Sequence, residues 1–136
     1  MRIAILEDDP DQLALLKHWL VPDGHDVHGY LRGRDAMNHA GRESFDLFVL
    51  DWQVPDVSGV EVLKWIRDRP ELETMLIVIL TSSKEDRDID RAYRLGANSY
   101  LVKPPNAAKL QDMVKLLGEY WLGQNQPPIH IEEVAK

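Results

Sequence analysis

Four apolar runs in this chain each stop at a residue able to do chemistry. Ile3-Ala4-Ile5-Leu6 ends at Glu7-Asp8-Asp9, Leu47-Phe48-Val49-Leu50 at Asp51, Leu76-Ile77-Val78-Ile79-Leu80 at Thr81, and Tyr100-Leu101-Val102 at Lys103. Between them lie segments of helical period, and strands alternating with helices predict a parallel sheet covered on both faces. Asp9-Pro10 reads as a helix N-cap and first turn, with Leu13, Leu16 and Leu20 on one face until Pro22-Asp23-Gly24. A weak strand at Asp26 to Tyr30, expected at a sheet edge, precedes a polar second helix near Arg34 to Gly41. Val62, Leu63 and Ile66 line a third helix that ends near Pro70. Ile89, Ala92 and Tyr93 mark a fourth, closed by Gly96, and Leu110, Met113, Val114, Leu117 and Trp121 a fifth. Five strands and five helices are therefore expected, in a doubly wound α/β sheet. Right-handed crossovers cover both faces only if the strand order reverses once, and 2-1-3-4-5 is a common solution.

In that arrangement the carboxyl ends of the strands share one edge, where open α/β sheets bind ligands. Three or four carboxylates, a hydroxyl and an ammonium then meet in one crevice. The 136 residues fit a single domain, read as residues 1–122, followed by a proline-containing tail over 123–136. No apolar stretch approaches the ~20 residues of a membrane helix, and the start lacks a secretory cleavage pattern, so the cytoplasm is the expected location. The absence of cysteine removes disulfides, thiolate metal sites and thiol nucleophiles from consideration. A net charge of −7 argues against direct nucleic-acid binding.

Consecutive carboxylates at a strand end repel one another and lose solvation unless a cation or donors compensate. A hard divalent cation, Mg²⁺ or Mn²⁺, suits Glu7 and Asp8 better than Ca²⁺, which wants more ligands and a dedicated loop. Asp9 is equally well read as the cap of the first helix. Asp51 ends a buried strand where a loop begins, poised as metal ligand or nucleophile, and carboxylates do form aspartyl-phosphates. Lys103 and Thr81 can offer an ammonium and a hydroxyl to phosphoryl oxygens. Each alone is a common surface or capping residue; together, at four strand ends, they are specific.

These residues resemble the receiver domains of two-component response regulators, from Met1 to about Trp121. Asp51 and Thr81 are 30 residues apart and Thr81 and Lys103 are 22 apart, as receivers usually show. Pro55, Gly59, Leu80-Thr81-Ser82, Gly96-Ala97 and Lys103-Pro104 also fall in the family's places. The resemblance implies a flavodoxin-like (βα)5 fold with Asp51 as phosphoacceptor. Asp8 and Asp51 would ligate Mg²⁺ directly, Glu7 through water, and the backbone carbonyl of Gln53 would complete the set. Thr81 and Lys103 would hold phosphoryl oxygens, and Tyr100 would be the aromatic that moves with Thr81. A sensor histidine kinase or phosphotransfer protein would be the donor. The surface of the fourth helix, fifth strand and fifth helix would be the output, and a possible homodimer contact.

Such a domain is a signalling switch, not a turnover enzyme, catalysing only its own phosphorylation and dephosphorylation. A phosphohydrolase of similar chemistry wants a second Asp where this chain has Gln53, and a phosphorylation-independent pseudo-receiver would have lost some of Asp8, Asp51, Thr81 or Lys103. Trp52 and Gln53 are larger than the usual pair, which leaves the phosphate lifetime open. Pro105 after Lys103-Pro104 is unusual, and a cis Lys103-Pro104 bond is expected from the resemblance. The five histidines are expected at the surface. The end of the chain resembles stand-alone receivers of the chemotaxis or phytochrome-associated type. The alternative is the N-terminal receiver of a DNA-binding transcriptional regulator.

Overall fold

The computed structural model describes residues 2–20, 24–52 and 56–120. Its elements run β1 (Arg2–Leu6), α1 (Pro10–Leu20), β2 (Asp26–Tyr30), α2 (Gly33–Ala40), β3 (Leu47–Leu50), α3 (Gly59–Arg67), a 3-10 turn (Pro70–Leu72), β4 (Leu76–Thr81), α4 (Asp86–Arg94), β5 (Ser99–Val102) and α5 (Ala107–Gly118). The five strands form a parallel sheet in the order β2-β1-β3-β4-β5. This is the doubly wound flavodoxin-like topology the alternation predicts.

The three central strands are buried along almost their whole length because both faces are covered. Their side chains alternate between two cores. Ala4, Leu6, Phe48, Leu50, Ile77 and Ile79 pack with the buried residues of α2, α3 and α4, among them Ala36, Leu63, Ile66 and Ala92. Ile3, Ile5, Leu47, Val49, Val78 and Leu80 pack with Leu13, Leu16 and Leu20 of α1 and Leu110, Val114 and Leu117 of α5. β2, the weak strand, is half-exposed and lies at an edge as expected. β5 is the opposite edge, and Tyr93 on α4 covers part of it by accepting the backbone N–H of Tyr100 at 3.1 Å.

Several details differ from expectation. Of the residues that mark α4, Ala92 is buried, whereas Tyr93 is about half exposed and makes that edge contact. No peptide bond among the described residues is cis, so Lys103-Pro104 is trans, the lower-energy isomer. His18 and His39 are exposed, but His25 and His28 are half-buried. His28 sits on β2 with its ring edge to Phe45 at 5.5 Å and its Nε2 3.0 Å from Asp26, because even an edge strand has one covered face. His130, Trp121 and the tail lie outside the described residues, as do Gln53 and Pro55.

Candidate functional site

The strand ladder continues one residue past the carboxyl ends of β1, β3 and β5, and so fixes the backbones that carry the site. The N–H of Glu7 donates to the Tyr30 carbonyl at 3.0 Å, that of Asp51 to Leu6 at 3.0 Å, and that of Lys103 to Thr81 at 2.7 Å. Leu6 stands opposite Leu50, and Thr81 opposite Val102. Glu7, Asp51, Thr81 and Lys103 therefore emerge side by side at one edge, and Glu7, Asp51 and Thr81 are buried.

Glu7, Asp8 and Asp51 each offer a carboxylate oxygen, and these oxygens lie within 4.8 Å of one another. The Lys103 ammonium reaches into the same space, 2.5 Å from Glu7 Oε2, 2.6 Å from Gln12 Oε1 and 3.3 Å from Asp51 Oδ2. Burial of the Glu7 carboxyl, helped by the Asp51 charge, pushes its pKa up to about 7 against the pull of the Lys103 hydrogen bond. One ammonium thus does not offset three carboxylates, and a donor set made only of oxygens fits a small hard cation. Asp9 stands apart from this group. It is exposed, and its Oδ1 accepts from the N–H groups of Asp11 at 3.0 Å and Gln12 at 3.3 Å, so it caps α1.

Thr81 is fully buried, and its hydroxyl has no hydrogen-bond partner among the described residues. A buried hydroxyl left unpaired is costly, so Thr81 Oγ1 is available to a group brought into the crevice. Tyr100 is half-buried, its phenol donating to the Ser83 carbonyl at 3.1 Å and its ring edge-on to Trp52 at 6.5 Å. Burial raises the phenol's pKa above its ordinary value. Ser83 in turn donates through Oγ to Asp88 of α4 at 2.5 Å. Trp52, next to Asp51, is buried in the core shared with α2–α4. A contiguous chain of contacts thus runs from the Asp51 loop to the start of α4.

Two residues shape the loop that follows Asp51. A Cβ on Gly59 would lie 2.7 Å from the Asp51 carbonyl oxygen and 2.7 Å from Trp52 Cα, so only glycine lets α3 begin this close to the site. Asp56 accepts from the N–H groups of Gly33 at 3.0 Å and Arg34 at 3.1 Å, capping α2, which has no side-chain cap of its own. Sequence reading missed Asp56 because its partners lie in a distant segment. It also missed Gln12, whose only signal was its place in the first turn after Asp9-Pro10.

Residues 3–115 match the response regulator receiver domain family. The chain belongs to the receiver family. Among curated proteins, the receiver is 36% identical over 116 residues to the phosphate regulon transcriptional regulatory protein PhoB of Rhizobium meliloti (strain 1021). That alignment takes in 85% of this chain and 51% of PhoB, so the receiver spans about half the length of that relative. Among solved structures it resembles the phosphorylated cyanobacterial phytochrome response regulator RcpA, with a TM-score of 0.89, 30% identity, and 94% of this chain and 98% of that one covered. It also resembles the Mn²⁺-bound form of response regulator Rcp1, with a TM-score of 0.87, 28% identity, and 94% and 99% covered. The receiver is a signalling domain of two-component systems with an acidic pocket of the kind that takes a divalent metal. No helix among the described residues is long and apolar enough to cross a membrane.

Proposed function

We propose that this receiver accepts a phosphoryl group on Asp51 in a Mg²⁺-dependent transfer and that the modified site changes the surface of α4, β5 and α5. One observation carries the reading: three strand-end carboxylates converge within 4.8 Å beside a single ammonium. Asp8 and Asp51 would hold the metal directly and Glu7 through water, with the backbone carbonyl of Gln53 as a further ligand. When bound, Mg²⁺ offsets the charge that a carboxylate meets on approaching an anionic phosphoryl group.

The chain's own residues supply the rest. Asp51 is the nucleophile, Lys103 neutralises a phosphoryl oxygen, and the buried Thr81 hydroxyl takes another as its missing partner. Thr81 lies on β4 just ahead of the Ser83 that ties Tyr100 to α4, so a change at Thr81 is transmitted to Tyr100 and to the helix. The donor is a sensor histidine kinase or a phosphotransfer protein, in the cytoplasm, and α4, β5 and α5 are the partner or homodimer surface. The domain itself occupies residues 1–122.

Support for a stand-alone receiver comes from RcpA and Rcp1, whose whole solved chains the match nearly covers. Support for a transcriptional regulator comes from PhoB. The length of the native gene product on an immunoblot separates these arrangements. Beryllofluoride with Mg²⁺, followed by ¹⁹F NMR, tests the site itself. A bound signal is expected in the wild type and none in Asp51→Asn; equal binding by both would refute the assignment of Asp51.

A further inference from the structure

An ammonium has three N–H donors, and their distribution at Lys103 is uneven. Two short contacts go to Glu7 at 2.5 Å and Gln12 at 2.6 Å, while the contact to Asp51 is 3.3 Å. Gln12 stands in the first turn of α1, and the Asp9 cap pins that turn to the end of β1. We propose that Gln12 is a positioning residue for Lys103: it draws the ammonium off Asp51 before transfer and releases it to the phosphoryl group afterwards. The proposal rests on the reading of Asp51 as phosphoacceptor.

The choice of a neutral amide matters. A carboxylate at this place would grip the ammonium more tightly, because it adds the attraction of a full opposite charge to a hydrogen bond that the ammonium alone already strengthens. An apolar side chain would free the donor that Gln12 takes and let the ammonium close on Asp51, 3.3 Å away. In the transfer, an Asp51 oxygen bonds to phosphorus while the bond from phosphorus to the donor's leaving atom breaks, nitrogen in a phosphohistidine and oxygen in acetyl phosphate. With acetyl phosphate, acetate leaves with that electron pair and no proton has to move. An Asp51 oxygen already held by the ammonium is a poorer nucleophile, whereas an ammonium locked to residue 12 cannot follow the phosphoryl oxygen. An amide acceptor avoids both outcomes.

The test compares Gln12→Met, which keeps length and helix propensity, with Gln12→Glu, which keeps shape and an acceptor. Two readouts are taken on the full chain: the ¹⁵N-ammonium resonance of Lys103 in the metal-free protein, and the phosphorylation rate with acetyl phosphate at saturating Mg²⁺. Gln12→Met is expected to shift or lose the resonance, Gln12→Glu to retain it, and both to transfer about tenfold more slowly than the wild type. A role confined to shape would leave Gln12→Glu unimpaired. Rates for both variants within about twofold of the wild type, with Lys103→Met inactive, would overturn the proposal while leaving Asp51 as phosphoacceptor. A wild-type chain that binds Mg²⁺ but takes no phosphoryl group would overturn both readings.

Discussion

Removing the ammonium by Lys103→Met should destabilise the metal-free domain by an amount that grows with pH. Lys103 donates to Glu7, Gln12 and Asp51, and its side chain is about nine-tenths buried. Glu7 titrates near pH 7 in the folded protein, against 4.5 as the ordinary value, chiefly because it is buried. For a carboxyl raised in this way the folded state binds more protons than the unfolded one, so stability falls as pH rises from about 4.5 to about 7 and then levels off. Without Lys103, which pulls that value down, the decline must continue above neutrality. At pH 5.5 Glu7 is protonated in both proteins, and the variant loses the bonds to Gln12 and Asp51 and a bond to a Glu7 that carries no charge, about 1–2 kcal/mol in all. By pH 8.5 the wild type carries a Glu7 carboxylate paired with the ammonium, whereas the variant must bury that charge alone or hold a proton. Each unit of further pKa rise adds about 1.4 kcal/mol. A gap of about 3–4 kcal/mol is then expected, in the range found when one partner of a buried ion pair is removed. Urea unfolding in EDTA, followed by far-UV circular dichroism at the two pH values, measures it. A gap that stays flat or narrows as pH rises would refute the assignment of Lys103 as the charge partner of Glu7.

Other consequences follow from the same packing and hydrogen bonds. Gly59→Ala forces a Cβ against the Asp51 and Trp52 backbone and should cost about 2–3 kcal/mol in urea unfolding, with phosphorylation slowed; a loss under 0.5 kcal/mol would contradict the packing. Asp56→Ala removes the only side-chain acceptors found, among the described residues, on the first turn of α2 and should cost about 1–2 kcal/mol, with Asp56→Asn, which keeps one of the two acceptor oxygens, falling between it and the wild type. Mg²⁺ at a hundred times its dissociation constant should stabilise the domain by about 2.7 kcal/mol, and chelation should remove this; Asp8→Asn should require more Mg²⁺ for the same gain, by calorimetric titration.

The strands and the site's main residues were legible for one physical reason. A parallel strand covered on both faces must be apolar throughout, so its end is marked by the first polar residue, and at this sheet edge that residue is also the functional one. Glu7, Asp51, Thr81 and Lys103 were found in that way. Leu13, Leu16 and Leu20 on α1 and Val62, Leu63 and Ile66 on α3 were legible because they recur at helical spacing on a buried face. What escaped were polar contacts between segments far apart in sequence. Gln12 meets Lys103 across 91 residues, and Asp56 caps a helix 23 residues earlier. Neither has a local pattern, because only the fold brings the partners together. Tyr93 marked α4 through its helical spacing, but the contact of its hydroxyl with the open edge of β5 has no local pattern.

The central claim is that Asp51 accepts a phosphoryl group with the help of a divalent metal. Intact mass after incubation with acetyl phosphate, with and without Mg²⁺ and beside Asp51→Asn, tests it most directly. One phosphoryl adduct that requires Mg²⁺ and is absent from the variant is expected. An adduct that forms equally well on Asp51→Asn, or no adduct on a chain that binds Mg²⁺ and no beryllofluoride, would contradict it.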